Sequence, residues 1–286
     1  MILLTAPTGP TGAHVLKHLV RRGAKVRAFV HRPASAEAAR KIGAAEAFVG
    51  DIHRLADIAE ALRGIEKIYH ICPRFDEEEI AIGDALIRAA TAARVKHFIY
   101  HSVIHGQVEA LTHHRDKRVV EGMLMESPID YTILQPTMYM QSTTREWAAI
   151  KQTGEFRLPQ STDMKMSVVD LEDIGIAAAN VTLDPDWVGG CFEICNGEQL
   201  TRTEMAAMMG EALGRQVLAV REDIDAWQKH VIEVGHFTPA QVRRVRTMQE
   251  HYAKYGLAGG NGKVLELLIG RKPTTYREYV ARIAKT

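Results

Sequence analysis

The first 32 residues constrain the fold of this chain more than any other stretch. Residues 1–4 form a short apolar run, and a turn rich in Gly, Pro and Thr, TAPTGPTG, follows it. Apolar residues then recur at helical spacing over residues 15–20, and Gly23 is expected to end the helix. The next apolar run, KVRAFV, predicts a second strand. This order of strand, helix and strand predicts a βαβ unit.

The turn between the first strand and the first helix has the composition of a phosphate-binding loop. Because glycine has no Cβ, Gly9 and Gly12 let backbone N–H groups approach an anion closely, and the helix dipole favours negative charge there. Ala6 stands where such loops usually have a first glycine, and we expect it to fit only with a negative φ. Its position inside a βαβ unit favours a dinucleotide site over an ordinary loop. The expected pyrophosphate contacts are Thr8, Gly9, Pro10, Thr11 and Gly12.

The end of the second predicted strand indicates which dinucleotide the site prefers. NAD sites place Asp or Glu about twenty residues after the turn, where it binds the ribose 2′-hydroxyl. This chain instead reads Val30-His31-Arg32-Pro33, without an acid. A guanidinium presents a planar pair of donors that suits a 2′-phosphate. The sequence therefore favours NADP(H), bound by His31 and Arg32; the alternative is that Arg32 is only a solvated residue at a strand end.

Strands and helices alternate from the start of the chain to residue 136. This alternation predicts an α/β fold, a Rossmann-type doubly wound parallel sheet with right-handed crossovers. Ligands of such sheets bind beyond the carboxyl ends of the strands. This rule places the segments that follow the predicted strands along one crevice: Thr8–Gly12, Arg32, Asp51–Ile52, Cys72–Pro73 and Ser102–Val103. The sixth predicted strand ends at residues 135–138. Asp51 is expected either to bind the adenine amino group or to cap the next helix. The acidic run at residues 76–79 is expected to be a solvated helix start.

Composition narrows the function classes. The 286 residues are 46% apolar with a formal net charge of +1, which argues against nucleic acid as a partner. No apolar run approaches the roughly 18 residues of a membrane span. Cys72, Cys191 and Cys195 lack the spacing of a metal site, so we expect no metal and three reduced thiols in a cytoplasmic protein.

The order of several segments resembles the NmrA-like group of the atypical short-chain dehydrogenases/reductases. The resembling segments are TAPTGPTG, VRAFVHRP, VGDIHRLADIAEAL, ARVKHFIYHSV, YTILQPTMYMQ, MSVVDLEDIGIAAA, FEICNGEQLT and RKPTTYREYV. The resemblance covers nearly the whole chain. It implies a Rossmann domain that binds NADP(H), followed by a smaller region on the substrate side.

The resemblance also implies individual roles. Cys72 and Pro73 would lie near the adenosine ribose or the pyrophosphate, and Lys117 would bond the nicotinamide ribose. Lys117 shares a helical face with Val120 and Leu124, so we expect it to face inward. The nicotinamide would be lined by Pro136, Thr137 and Met138.

The chain departs from its relatives at the proton donor. Many related reductases carry YxxxK, but here His113 precedes Lys117 in place of the tyrosine. His113 is expected either to act as a general acid or to be a surface residue on a polar turn. His105 and Tyr139 are the other candidate donors. Ser102 is expected either to bond a substrate carbonyl or simply to end its strand.

The predicted organisation is an NADP-binding Rossmann domain at residues 1–140 and a smaller α+β region at residues 141–286. Within the second region, residues 166–182 are expected to pack back on the Rossmann domain. Residues 225–255 are predicted to be helical and to pack together rather than form a lid, with the basic residues 243–246 on a surface face. Residues 256–263 are predicted to be a flexible loop.

Two functions agree with this sequence. The first is an NADPH-dependent reductase that transfers hydride to a small aromatic or conjugated electrophile such as a quinone, an azo dye or an enone. The second is a non-catalytic NADP(H)-binding redox sensor that acts through a protein partner. The missing tyrosine of the YxxxK motif keeps both functions open, and a homodimer is compatible with either.

Overall fold

The computed structural model describes residues 1–159, 161–235 and 237–285. The first half of the chain contains β1 (Ile2–Thr5), α1 (Pro10–Arg21), β2 (Val26–Val30), α2 (Pro33–Ile42), β3 (Glu46–Val49), α3 (Leu55–Ala61), β4 (Lys67–His70), α4 (Glu79–Ala92), β5 (His97–His101), α5 (Thr112–Met125) and β6 (Asp130–Pro136). The second half contains β7 (Met138–Tyr139), α6 (Met140–Thr143), α7 (Trp147–Thr153), β8 (Glu155–Leu158), β9 (Met166–Val169), α8 (Leu171–Leu183), β10 (Cys191–Ile194), β11 (Gln199–Leu200), α9 (Arg202–Leu213), β12 (Leu218–Arg221), α10 (Ile224–Glu233), α11 (Pro239–Tyr255), α12 (Gly262–Ile269) and α13 (Tyr276–Ile283).

The centre of the molecule is a seven-stranded sheet in the order β10-β6-β5-β4-β1-β2-β3. All neighbouring strands in it are parallel. The prediction of a doubly wound α/β sheet is confirmed. The direction of winding reverses between β1 and β4, and this reversal opens a crevice at the carboxyl ends of the strands.

Helices cover both faces of the sheet. On one face, the apolar stripe of α1 (Val15, Leu16 and Leu19) is fully buried against the strands and α8. The two helices approach closely at Gly175, where a Cβ would lie 2.9 Å from the carbonyl oxygen of His14. On the other face, α3, α4 and α5 bury a second apolar cluster against β4 and β5.

The second half of the chain returns to the sheet twice. Strand β10 pairs with β6 at the edge, and α8 packs on α1. A separate apolar cluster joins β9, α9, α11 and α13. The division of the chain at residue 140 stays a prediction.

Two local predictions for the second half are wrong in detail. The predicted helical stretch 225–255 is broken between α10 and α11, where Thr238 begins α11 with a capping box; His236 lies outside the described residues. The predicted loop at 256–263 ends in α12, because the Asn261 side chain accepts from the Lys263 backbone and caps that helix.

No helix in the described ranges is long and apolar enough to cross a membrane. The thiols of Cys72 and Cys195 are buried, the thiol of Cys191 is exposed, and all three are free.

Candidate dinucleotide and substrate site

The turn between β1 and α1 holds Ala6 in an unfavourable backbone conformation. Its φ is +49°, so the expectation of a negative φ was wrong. The turn closes through a hydrogen bond from the Gly9 N–H to the Ala6 carbonyl at 3.2 Å. A Cβ on Gly12 would lie 2.1 Å from the same carbonyl oxygen, so only glycine fits there. The left-handed region costs an L-residue about 1–2 kcal/mol, which the surrounding turn has to offset.

The amino end of α1 has the features of an anion site. Gly9 is the N-cap in an extended conformation, Pro10 follows it, and no side chain caps the helix. The first turn contains no acidic residue. The partial positive charge of the helix dipole and the free N–H groups at this end therefore have no negative side chain of the same turn beside them. Thr8 is exposed and Thr11 is buried beside them. These residues fit a pyrophosphate.

At the end of β2, the Arg32 side chain is exposed. Its backbone carbonyl accepts the first bonds of α2, from Ser35 and Ala36. Within the described part of the chain, its guanidinium forms no ion pair or hydrogen bond. Exposed His31 precedes it. The donors that a 2′-phosphate requires are therefore available at this position.

At the end of β3, Asp51 belongs to a small polar network. Its Oδ1 accepts from the His53 backbone N–H at 3.0 Å and lies 3.0 Å from the ring Nδ1 of His53. These hydrogen bonds lower the pKa of Asp51. The N-cap of α3 is Arg54, so the expectation that Asp51 caps this helix was wrong. Ile52 is buried next to it, and the adenine role of Asp51 stays a prediction.

Lys117 forms a buried ion pair on the inner side of α5. Its Nζ lies 2.6 Å from Oε1 of Glu79 and 3.5 Å from the carbonyl oxygen of His101. Burial is the largest single influence and lowers the pKa of Lys117, but the charge and hydrogen bond of Glu79, together with Cys72 and Tyr139, raise the pKa on balance. Lys117 therefore stays a cation inside the crevice. Its predicted inward orientation is confirmed.

Glu79 is the residue that sequence reasoning assigned incorrectly. It was expected in a solvated acidic run, but its side chain is fully buried, and the Tyr100 hydroxyl donates to its Oε1 at 2.8 Å. Its neighbours Glu77 and Glu78 are exposed, as expected. The sequence offered one indication that Glu79 is buried, namely its position in the first turn of α4, on the side that faces inward.

His113 lies inside α5 and is mostly buried, so the expectation of a surface residue on a turn was wrong. The Phe75 ring packs edge-on against it at 4.7 Å, and its Nδ1 lies 3.8 Å from Oε2 of Glu79. Burial and the charge of Lys117 hold the pKa of His113 well below its usual value. Three buried polar atoms here have no hydrogen-bond partner among the described residues: Glu79 Oε2, His113 Nδ1 and Ser102 Oγ.

A chain of hydrogen bonds crosses the crevice behind this pair. The Tyr139 hydroxyl lies 2.9 Å from Nε2 of His101, and Nδ1 of His101 lies 2.9 Å from the Tyr69 hydroxyl. The nearby Thr11 side chain lowers the pKa of Tyr139, although burial raises it on balance. The sequence suggested Tyr139 but not His101, which reads as an ordinary strand residue. His105, the other candidate donor, has a φ of +59° and packs on the loop at Gly259.

The remaining predicted contacts lie at the ends of β4 and β6. Cys72 is buried, and burial, with the nearby Glu79 carboxylate, raises the pKa of its thiol. Pro73 is half-buried beside it. Thr137 is held by a bond from its hydroxyl to the Ser167 carbonyl at 2.8 Å. Pro136 is buried, and Met138 is half-buried and pairs with Val168.

Phe75, Trp227 and Phe237 form an aromatic cluster, called here the aromatic cover, which contacts His113 through Phe75. Phe75 follows β4 with a φ of +57°, an unusual value for a bulky residue. Helix α11 docks on α5 through Arg244, which lies 3.0 Å from Oδ2 of Asp116 and is largely buried. The expectation that Arg244 belongs to a solvated surface face was therefore wrong.

The family model described as the NmrA-like family matches residues 1–280. This chain belongs to the NmrA-like family. The expected resemblance is confirmed. The NmrA-like protein is 28% identical over 287 residues to quinone oxidoreductase 2 of Escherichia coli strain K12, with 99% of this chain and 98% of that relative covered. It is also 28% identical over 236 residues to the NAD(P)H azoreductase of Xenophilus azovorans, with 82% of each chain covered.

Solved structures extend this likeness to the whole fold of the NmrA-like protein. The NADPH-dependent quinone oxidoreductase of Escherichia coli in complex with NADPH superposes with a TM-score of 0.85 at 27% identity, covering 99% of both chains. The triphenylmethane reductase of Citrobacter sp. superposes with a TM-score of 0.86 at 20% identity, covering 100% of this chain and 99% of that one. The second likeness establishes the fold alone.

Proposed function

We propose that this protein is an NADPH-dependent reductase of small aromatic or conjugated electrophiles. The observation that carries the proposal is the convergence on one crevice of an uncapped α1 amino end, an unpaired Arg32 and the buried Lys117 cation. Relatives named quinone oxidoreductase and NAD(P)H azoreductase support the same reaction class.

The cofactor contacts follow the ends of the strands. Residues 8–12 would hold the pyrophosphate, Arg32 and His31 the 2′-phosphate, and Asp51 and Ile52 the adenine. Residues 72–73 and Lys117 would border the ribose groups, and residues 136–138 the nicotinamide. When bound, NADPH supplies the hydride for the reaction.

The protein would orient the cofactor and the acceptor relative to each other and would exclude water from the site. The aromatic cover of Phe75, Trp227 and Phe237 offers an apolar wall to a planar acceptor, and Ser102 offers an unpaired hydroxyl to a carbonyl. Orienting two reactants in a dry site supplies much of the rate enhancement in such reactions.

A side-by-side titration of NADPH and NADH, followed by turnover with a quinone and an azo dye, tests the proposal. We expect tight binding of NADPH, weak binding of NADH, and oxidation of NADPH that depends on the acceptor. Absence of binding of both nucleotides would overturn the proposal. NADPH binding without turnover of any acceptor would favour the redox sensor, and a change of oligomeric state or partner binding with cofactor state would then be measured.

A further inference from the structure

We propose that Tyr139 is the proton donor of the reduction and that His101 is its positioning residue. The inference rests on the reductase function proposed above and identifies which group replaces the missing tyrosine of YxxxK. Tyr139 comes from the segment after β6, whereas the expected donor position, His113, belongs to α5.

The geometry places one hydrogen-bond partner directly at the phenolic oxygen of Tyr139. Nε2 of His101 lies 2.9 Å from this oxygen. The Thr11 side chain, in the first turn of α1, lies near enough to lower the pKa of Tyr139. Tyr139 is half-buried, so it combines a fixed ring with access to the crevice. His101 ends β5 and Thr11 lies in the first turn of α1, so both are at the carboxyl-end edge of the sheet, where ligands of such sheets bind.

The hydrogen bond at Nδ1 of His101 determines which group donates in the bond between His101 and Tyr139. The Tyr69 hydroxyl is fully buried, and Nδ1 of His101 at 2.9 Å is its hydrogen-bond partner within the described residues. A buried hydroxyl without an acceptor is costly, so Tyr69 donates to Nδ1. The ring of His101 is neutral, because burial and the charge of Lys117 lower its pKa to about 3. Its single hydrogen is therefore on Nε2 and is donated to Tyr139.

The Tyr139 oxygen thus accepts from His101, and the hydrogen of Tyr139 itself is free to be donated to a substrate. Burial raises the pKa of Tyr139, while Thr11 and Lys117 counter that effect by favouring the phenolate. Among the described residues, Lys117 from α5 and His101 from β5 are the charged and titratable groups near this oxygen, and Tyr69 from β4 lies on the other side of His101. The carboxylate of Glu79 lies behind Lys117 and keeps it protonated.

The step balances without a further reactant. The hydride adds to the acceptor, the O–H bond of Tyr139 breaks, and the proton forms a new O–H bond on the reduced quinone. The Nε2–H of His101 and the nearby Thr11 and Lys117 stabilise the phenolate of Tyr139 until water from solvent returns a proton. His113 is less suited to this step, because its Nδ1 faces Glu79 and its ring packs on Phe75.

Two acceptors that differ only in their need for a proton test the inference. A quinone requires a proton together with the hydride, whereas a triarylmethane cation becomes neutral by taking up the hydride alone. We expect Tyr139→Phe to lower kcat for the quinone by at least tenfold and to change kcat for the cation less than twofold. His101→Gln should give the same selective loss, in smaller degree. Tyr252→Phe is the matched control, because Tyr252 is also a buried tyrosine bonded to a histidine, with its hydroxyl 2.8 Å from Nε2 of His114.

An equal loss with both acceptors would assign Tyr139 a structural or cofactor-positioning role and would overturn the inference. Unchanged quinone reduction in Tyr139→Phe would also overturn it, as would an equal selective loss in Tyr252→Phe. If the unchanged protein binds NADPH but reduces neither acceptor, the proposed reductase function itself fails, and the inference fails with it.

Discussion

The ammonium of Lys117 and the carboxylate of Glu79 are joined at 2.6 Å inside the crevice, although 38 residues separate them in sequence. The pair connects α4 with α5. A buried cation is stable only when a counter-charge is close, so the two residues have to be considered together.

Removing one member of this pair should destabilise the fold more than removing both. Glu79→Gln leaves a buried ammonium without its counter-charge and should cost about 3–5 kcal/mol in the free energy of unfolding. Urea denaturation of Glu79→Gln, Lys117→Met and the double variant measures this as a cycle. The double variant should recover at least half of the loss. Additive losses would show that the two charges are not coupled.

Arg32→Ala should change cofactor preference. Loss of a charged partner of the 2′-phosphate should weaken NADPH binding by about 1.5–3 kcal/mol and leave NADH binding nearly unchanged. Calorimetric titration of both nucleotides measures the difference. Arg40→Ala, an exposed arginine on the same helix, is the control. An equal loss for both nucleotides would contradict the assignment of Arg32.

The tight turn after β1 predicts losses of different size at two of its glycines. Gly12→Ala should destabilise the protein by about 1–3 kcal/mol, because the new Cβ would meet backbone atoms of Ala6 and Pro7 that cannot move aside. Gly9→Ala should cost about 1 kcal/mol or less, because its Cβ would lie 3.5 Å from the Ala6 oxygen. Thermal unfolding of the two variants gives the comparison.

Ala6→Gly should act in the other direction at the same turn. Glycine removes the strain of the positive φ, but it also makes the unfolded chain more flexible, which favours unfolding. The net effect should be a gain of about 0.5–1 kcal/mol in the free energy of unfolding. A fall in melting temperature of Ala6→Gly would show that the methyl group contributes more by packing than the backbone loses by strain.

Buried histidines should make the protein sensitive to mild acid. Burial lowers the pKa of His70 and His101 to about 3, and that of His97 and His114 to about 4, from the usual 6.5. Between pH 6.5 and 4 the unfolded chain binds protons that the folded chain does not, so stability falls as the pH falls through this window. Each histidine contributes a slope of about 1.4 kcal/mol per pH unit.

Urea midpoints between pH 7.5 and 4 test this dependence. His97→Gln should reduce the slope, because the His97 ring is buried against Thr132 and lies outside the crevice. His230→Gln, which replaces an exposed histidine on α10, should leave the slope unchanged. A slope in His97→Gln equal to that of the unchanged protein would contradict the assignment.

The sequence alone determined the parallel sheet, because strand and helix periodicities alternate without interruption through residue 136 and permit few other arrangements. It also determined which residues follow each strand, and therefore which side chains share the crevice. The inward orientation of Lys117 followed from helical spacing with Val120 and Leu124. These predictions depend on local spacing, which a sequence contains in full.

Tertiary structure alone decided how the charges and protons are arranged. Glu79 lies in an acidic run that appears solvated, and only the packing of α4 against α5 buries it against Lys117. Similarly, His101 becomes a partner of Tyr139 only because β5 and the segment after β6 meet beside the first turn of α1. Burial, pKa and hydrogen-bond direction depend on neighbours that are distant in sequence. Contacts of this kind produce no periodic pattern in the sequence, so they cannot be read from it.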